Sequence, residues 1–448
     1  MLESCQRNER GEVMKKSFFG GIHPADKKDL TCNEESIQTI EPDYVVIPLR
    51  QHIGGACYPL VKVGDYVYCG QKIGDGEGMC VPVHSSVSGN IKEIKNMPHP
   101  NGGEELAIII KNDKQNLWEI DSAFMSMPEK LGVKELFQLI REAGIAGMGG
   151  AAFPTERKIL AGMEKAEIML INGCECEPYI TADDMVMRNW PEKVVGGIEI
   201  LQSALKSKRV VLAIEDNKKR AIGMIEDCLS EKKDIELKIL PTRYPQGAEK
   251  QLIQAVTGKE IPPGKLPMDI GCVVFNVSTV WSVFRSVKEK KPFVERVVTV
   301  TGEGVVHPGN YMVPIGTTFG DLIQKAGGLK EETDRVIAGG PMMGKAQETL
   351  DVPVIKGVGA ILCLPAESVK KENQSQCIRC GKCVEVCPVR LQPLYLYRYG
   401  RMGNSHMIQN YHLIDCIECG SCSYICPAKL PLTEQFRKDK KSLRGEKK

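Results

Sequence analysis

Residues 377–388 read CIRCGKCVEVCP and residues 416–427 read CIECGSCSYICP, two copies of one pattern, C-x2-C-x2-C-x3-C-P. Three thiolates at this spacing in a tight loop wrap three corners of a cubane, and the fourth cysteine of each run ligates the other cluster. The pattern predicts two [4Fe–4S] clusters. One takes Cys377, Cys380, Cys383 and Cys426; the other takes Cys416, Cys419, Cys422 and Cys387. A pair of four-cysteine zinc sites is the alternative, but zinc sites rarely need two identical runs. The proline after each fourth cysteine helps end its loop.

Around these runs the chain is ordinary in bulk. Its 448 residues suggest about three domains. Fifty-nine basic against 57 acidic residues give a formal charge of +2, which offers no reason to expect nucleic-acid binding. Eighteen cysteines without a secretory signal mean metal or redox chemistry rather than disulfides. The ten outside the two runs read mostly as small buried hydrophobes. The longest apolar run, residues 358–364, is seven residues and includes a glycine, where a spanning helix needs about 20. Residues 1–16 are mostly polar and lack the apolar core of a signal peptide. A soluble, cytoplasmic protein is expected. Residues 1–14 read as an extension, with Met14 a possible alternative start.

The chain reads as a multidomain α/β protein. Residues 1–35 are an N-terminal extension. Residues 36–125 hold short β-branched runs broken by Gly and Asp, and VKVGDYVYCGQKIGDGEGMCVPVHSSVSGNIKEI resembles a lipoyl/biotinyl-type hammerhead (barrel-sandwich) domain. The tip of its hairpin, residues 76–79, has no lysine to carry a prosthetic group, so a structural sandwich is the plainer reading. Residues 126–290 alternate helices with short continuous apolar strands, the pattern of a parallel sheet with ligand loops beyond the strand ends. Residues 291–350 run strand, turn, strand, helix and resemble a β-grasp ligand-binding module. Residues 366–435 follow a polar linker. The 28 residues between Cys387 and Cys416 exceed the usual small-ferredoxin spacing and read as helices, making an α-helical ferredoxin domain. Residues 436–448 read as a frayed basic tail, with seven basic and two acidic residues from Arg437 onward.

Within the α/β part, residues 146–155 read AGMGGAAFPT. Small residues leave backbone N–H groups bare for a phosphate or ring to approach. Alone, such a loop is as easily a structural turn. Further on come NGCECEPY (172–179), YPQGAEK (244–250) and FNVST (275–279). In this order the segments resemble the FMN- and NADH-binding domain of the complex I flavoprotein subunit. With FFGGIHP (18–24), the hammerhead, the β-grasp module and the double cysteine motif, nearly the whole chain resembles the C subunit of the Rnf electron-transport complex.

The resemblance implies that Gly147, Gly149 and Gly150 line the flavin phosphate and that Lys158 contacts noncovalent FMN. It implies that Asn172, Glu175, Gly247, Asn276 and Thr279 hold the ring and ribityl chain, and that Phe153, Glu177 and Glu249 face the dinucleotide. Three positions depart from the complex I pattern: Met148 where a basic residue is common, Cys174 where an acid is, and Ala248 where a glutamate is. The implied function is the NAD(H)-facing subunit of a membrane-bound ferredoxin:NAD oxidoreductase coupled to Na⁺ or H⁺ translocation. NAD(H) exchanges a hydride with FMN, and two clusters relay single electrons. A chain without a membrane span cannot itself carry the ion path. The implied partners are integral membrane and flavoprotein or ferredoxin-like subunits, with ferredoxin reached indirectly, at the cytoplasmic face of the cell membrane. Two alternatives stand beside it: a flavin/iron–sulfur cobalamin reductase, and a non-enzymatic electron-transfer adaptor.

Overall fold

A computed structural model describes residues 17–119, 132–150, 152–163, 165–369 and 373–445. The expected extension at residues 1–14 lies outside these. Strands Tyr44–Pro48, Glu104–Asn112, Gly89–Pro98 and Tyr66–Val67 form an antiparallel sheet in that order. A second sheet of Tyr58–Pro59, Lys72–Asp75 and Val83–His84 faces it. Alternate residues Val45, Ile47, Ile108 and Ile110 meet Val67, Ile73 and Val83 in one core, as period-two patterning requires. On the sheet's other face Val46, Ala107 and Ile109 are also buried. The reason is contact with the next unit, since Val46 N–H donates to the Gly316 carbonyl at 2.8 Å.

The α/β part has four parallel strands, ordered Ile235–Leu240, Arg209–Glu215, Ile168–Gly173, Cys272–Asn276. Their apolar runs are continuous because helices cover both faces, with separate cores on the two sides. The chain runs outward from Ile168–Gly173 through two strands, then returns to its opposite edge with Cys272–Asn276. That reversal is a topological switch point, where open parallel sheets bind ligands.

A six-stranded mixed sheet follows, in the order Gln38–Thr39, Gly309–Pro314, Glu295–Thr301, Ala360–Pro365, Thr333–Ala338, Lys345–Ala346. Helix Phe319–Lys325 packs on it. The sheet runs past the expected boundary at 350, since it includes Ala360–Pro365. The apolar run near 360, which falls between the expected modules, is a central strand parallel to Glu295–Thr301. Gln38–Thr39 joins the sheet from the far N-terminal side.

The cysteine-rich part is helical, with Pro393–Arg401 and Ser405–Asn410 between the two runs. Helix Leu432–Gly445 corrects the frayed tail. Leu432, Phe436 and Leu443 fall on one helical stripe and are buried in the core of this part. Its many lysines hid the stripe. Lys440 is itself buried and donates to the Cys416 carbonyl at 2.5 Å.

Candidate functional site

The switch point places Asn172 and Asn276 in register on adjacent strands. Asn276 Oδ1 accepts from the N–H groups of Ser278 (2.9 Å) and Thr279 (3.3 Å), capping helix Val277–Lys288. Its Nδ2 donates to Asp183 Oδ2 at 2.6 Å, and Ser278 Oγ donates to Asp183 Oδ1 at 2.5 Å. Over this cluster lies the glycine loop. Met148 N–H donates to Thr279 Oγ1 at 3.0 Å, and Gly147 N–H to the Phe153 carbonyl at 2.9 Å. A Cβ on Gly149 would stand 2.9 Å from Asn276 Nδ2 and 3.0 Å from Asn276 Cβ. Asn276 is held by three hydrogen bonds and cannot yield, so this position needs glycine.

Asn172 is committed in the same way. Its Nδ2 donates to the Gly247 carbonyl at 2.8 Å, and its Oδ1 accepts from Cys174 N–H at 3.0 Å. Lys158 Nζ lies 2.9 Å from Glu249 Oε1 and 3.0 Å from the Val274 carbonyl. Phe153 and Glu249 both reach the surface. The structure thus brings Gly147, Gly149, Lys158, Asn172, Gly247, Glu249, Asn276 and Thr279 to the carboxyl ends of the parallel strands, and Gly150 and Phe153 share the loop with the two glycines.

Two expected residues have protein partners of their own. Glu175 is buried, accepts from Asp183 N–H at 2.7 Å and pairs with the buried Lys218 at 3.1 Å. It thereby caps the helix Ala182–Asn189, whose Asp183 reaches Asn276. Glu177, expected to face the dinucleotide, is engaged by the loop at 342–343. Its carboxylate accepts from Met342 N–H (3.2 Å) and Met343 N–H (2.9 Å), and burial raises it to about 7. Asp183 is a site residue that no motif announces. Burial, then repulsion from Glu175, raises its carboxyl to about 6. Its only signal in the sequence is an acidic pair opening a helix, which is commonplace.

The cysteines sort into two sets. Cys387, Cys416, Cys419 and Cys422 line one cavity floored by Leu391, Leu396 and Phe436. The Cys416 thiol is pushed up to about 12 chiefly by burial, and Cys419 and Cys387 raise it further. The Cys383 thiol is pushed up to about 11 by burial first, then by Cys426, with Cys377 and Cys380 adding to it. Cys377 and Cys380 are exposed. Among the described residues no three His, Cys, Asp or Glu groups are placed to hold a single metal ion.

A junction joins the strand-end face to the second run. Tyr244 OH donates to the Cys419 carbonyl at 2.7 Å, and Tyr244 packs with Ile22, Cys176, Met342 and Ile417. The GGIHP segment threads through it. Ile22 and Tyr244 exchange backbone hydrogen bonds, and Gly21 N–H donates to the Val386 carbonyl at 2.8 Å. Gly20 lies so close to Cys387 that a Cβ would stand 2.8 Å from its carbonyl carbon.

Among family models, the RnfC barrel sandwich hybrid domain matches residues 16–115 and the Nuo51 FMN-binding domain residues 140–285. The SLBB domain matches residues 297–346, and a 4Fe-4S dicluster domain residues 369–427. The C subunit of the proton-translocating ferredoxin:NAD(+) oxidoreductase complex of Clostridium ljungdahlii is 42% identical over 405 residues, covering 90% of this chain and 88% of its own. The present chain belongs to this family of Rnf C subunits. The Na(+)-translocating counterpart of Acetobacterium woodii is 40% identical over 387 residues, covering 86% of this chain and 87% of its own. The C subunit of the ion-translocating oxidoreductase complex of Pectobacterium carotovorum is 41% identical over 432 residues, or 95% of this chain but 57% of its own. A solved NAD+-reducing [NiFe]-hydrogenase chain overlaps 72% of this chain and 56% of its own at 19% identity and TM-score 0.47, too slight a likeness to bear on function. The family's cofactors are FMN and [4Fe–4S] clusters, and both donor sets above suit them. No helix of the described residues is long and apolar enough to cross a membrane.

Proposed function

We propose that the chain is the NAD(H)-facing subunit of an ion-translocating ferredoxin:NAD oxidoreductase, with noncovalent FMN at the strand-end switch point. The observation that carries this reading is the pairing of Asn172 and Asn276 beneath Gly149, where the loop backbone lies open to a ligand. FMN, when bound, supplies two-electron exchange with NAD(H) and single-electron exchange with the clusters. The chain's own residues position it. Gly147, Gly149 and Gly150 offer backbone to the phosphate, and Lys158 offers a cation. Asp183 locks Asn276, and Thr279 holds the loop through Met148 N–H. Phe153 and Glu249 flank the approach of the dinucleotide.

Cys377, Cys380, Cys383 and Cys426 would hold one cluster, and Cys416, Cys419, Cys422 and Cys387 the other. The match of residues 369–427 to a 4Fe-4S dicluster domain supports a cluster over zinc. The hydrogen bond from Tyr244 to Cys419 supports a relay in which the Cys416 run stands next to the flavin. The exposed Cys377 and Cys380 then face the partner. The strand order of the six-stranded sheet supports the β-grasp reading, since its first and last long strands pair in parallel at the centre. Ion movement belongs to integral membrane partners, and the NAD-facing side is the cytoplasmic one.

The test is NADH:ferricyanide turnover by the anaerobically purified chain. Turnover that disappears in Gly149→Asp is expected. A wild-type protein with clusters but no turnover would instead identify a non-enzymatic electron-transfer adaptor.

A further inference from the structure

Lys356 is 1% exposed, and it sits where three parts of the chain meet. Its Nζ donates to the Pro82 carbonyl of the barrel-sandwich part at 2.7 Å and to the Gly144 carbonyl at 2.6 Å. Its backbone N–H donates to Gln51 Oε1 at 3.1 Å, and its carbonyl accepts from Arg296. No carboxylate forms an ion pair with it among the described residues. The buried Glu156 Oε2 and His84 Nδ1, both without hydrogen-bond partners, lie in its neighbourhood. Burying a charged amine without a direct ion pair is costly, so a mere packing role would be better filled by methionine or leucine.

Gly144 is the last turn before the glycine loop. Its φ is +70°, and a Cβ there would stand 2.5 Å from the Pro82 carbonyl oxygen and 2.8 Å from Lys356 Nζ. The loop's other end is tied to the same barrel-sandwich edge. Ile53 N–H donates to the Ala152 carbonyl at 3.3 Å, and Arg157 Nη2 donates to the Gly78 carbonyl at 2.5 Å. Arg141, just upstream, pairs with Asp75 at 2.8 Å. Gly357, next to Lys356, packs against the loop itself: a Cβ on it would contact Ala152 at 3.4 Å.

We infer that the barrel-sandwich part is the back wall of the flavin site, and that Lys356 is the positioning residue that fixes the glycine loop against it. The role rests on the flavin reading above. Lys356 sets where the loop begins by clamping the Gly144 and Pro82 carbonyls together. It also places a positive charge, with the buried Glu156 nearby, behind a loop that faces a phosphate. The lip that carries the contacts is compact, with Cys57 Sγ and Cys80 Sγ 3.2 Å apart across its base.

The experiment compares Lys356→Met with wild type as full-length, anaerobically purified chains. It measures FMN affinity, flavin midpoint potential and iron per chain. Lys356→Met should bind FMN about ten-fold more weakly or worse, as loss of a charged buried donor implies. Its residual flavin should show a shifted potential while iron stays at the wild-type level. Lys356→Arg should recover part of the affinity. Unchanged FMN affinity and potential in Lys356→Met would overturn the inference. Gly149→Asp, run in parallel, separates the two ideas: flavin lost there but not in Lys356→Met defeats only the positioning role, whereas flavin kept in both defeats the flavin site. If Lys356→Met does not fold, Arg157→Ala decides. That variant removes the tie at the loop's other end from a partly exposed side chain. It should weaken FMN, and an unchanged affinity would overturn the inference.

Discussion

The two cofactor regions are built in opposite ways. The cysteine runs are local: six of eight donors lie within two stretches of seven residues, and each stretch closes its own loop. The strand-end face draws on Gly149, Asn172, Gly247 and Asn276, which are far apart in sequence, and is held from behind by Lys356 and the barrel-sandwich edge. A site made of local spacing loses one cofactor when one donor goes. A site made of tertiary contacts is sensitive to residues that never touch the cofactor.

The first way to break this contrast is Cys426→Ala. On the proposed crossover, in which Cys426 ligates the cluster of the Cys377 run, the variant should lose about half of its iron, the other cluster remaining visible by EPR. Full iron content would show that each run serves its own cluster, and the crossover would be wrong. Gly149→Asp comes next. It sets a side chain against the fixed Asn276 and a negative charge against the phosphate, so the protein should purify without its yellow colour but with both clusters intact.

A smaller effect separates the back wall from the site it supports. Burial lowers Lys356 to about 8, against an ordinary lysine value of 10.5. Between those values the unfolded chain binds the proton and the folded chain does not, so stability rises with pH from 8 to 10.5. The cost of burying the charge is full below 8 and fades over that window. By linkage it amounts to at most about 3 kcal/mol. Chemical denaturation of wild type and Lys356→Met at pH 7.5 and pH 10 checks it: the difference between the two should shift toward wild type at the higher pH. A parallel pair of curves would contradict a buried, charged Lys356. Smallest is Tyr244→Phe, which deletes the hydrogen bond to the Cys419 carbonyl and should cost about 1 kcal/mol. Its informative readout is rapid-mixing reduction by NADH. Slower reduction of the clusters with unchanged flavin reduction places Tyr244 at the junction, and unaltered rates on both would remove it.

This contrast also explains what was legible in the sequence. Both cysteine runs were legible from spacing, because cubane geometry constrains neighbours within one loop. The parallel strands were legible from runs such as residues 168–171 and 210–214, since burial on both faces leaves nothing polar between their ends. Asp183, Lys356 and Tyr244 were not legible, because their roles depend on which loop packs opposite them. The partners of Glu177 were hidden for the same reason. A motif fixes where its backbone goes, but it does not announce that the loop at 342–343 supplies two N–H groups to its carboxylate. The helix Leu432–Gly445 was hidden by composition: charge outweighed a stripe of only three buried apolar residues.

Cofactor content of the anaerobically purified chain bears most directly on the two donor sets. Iron, sulfide, zinc and acid-released flavin should be determined per chain, and the visible spectrum followed on adding NADH. Two [4Fe–4S] clusters mean about eight irons and eight sulfides, with one FMN released by acid and bleached by NADH before release. One zinc per cysteine run, or a chain with full clusters and no flavin, would contradict it.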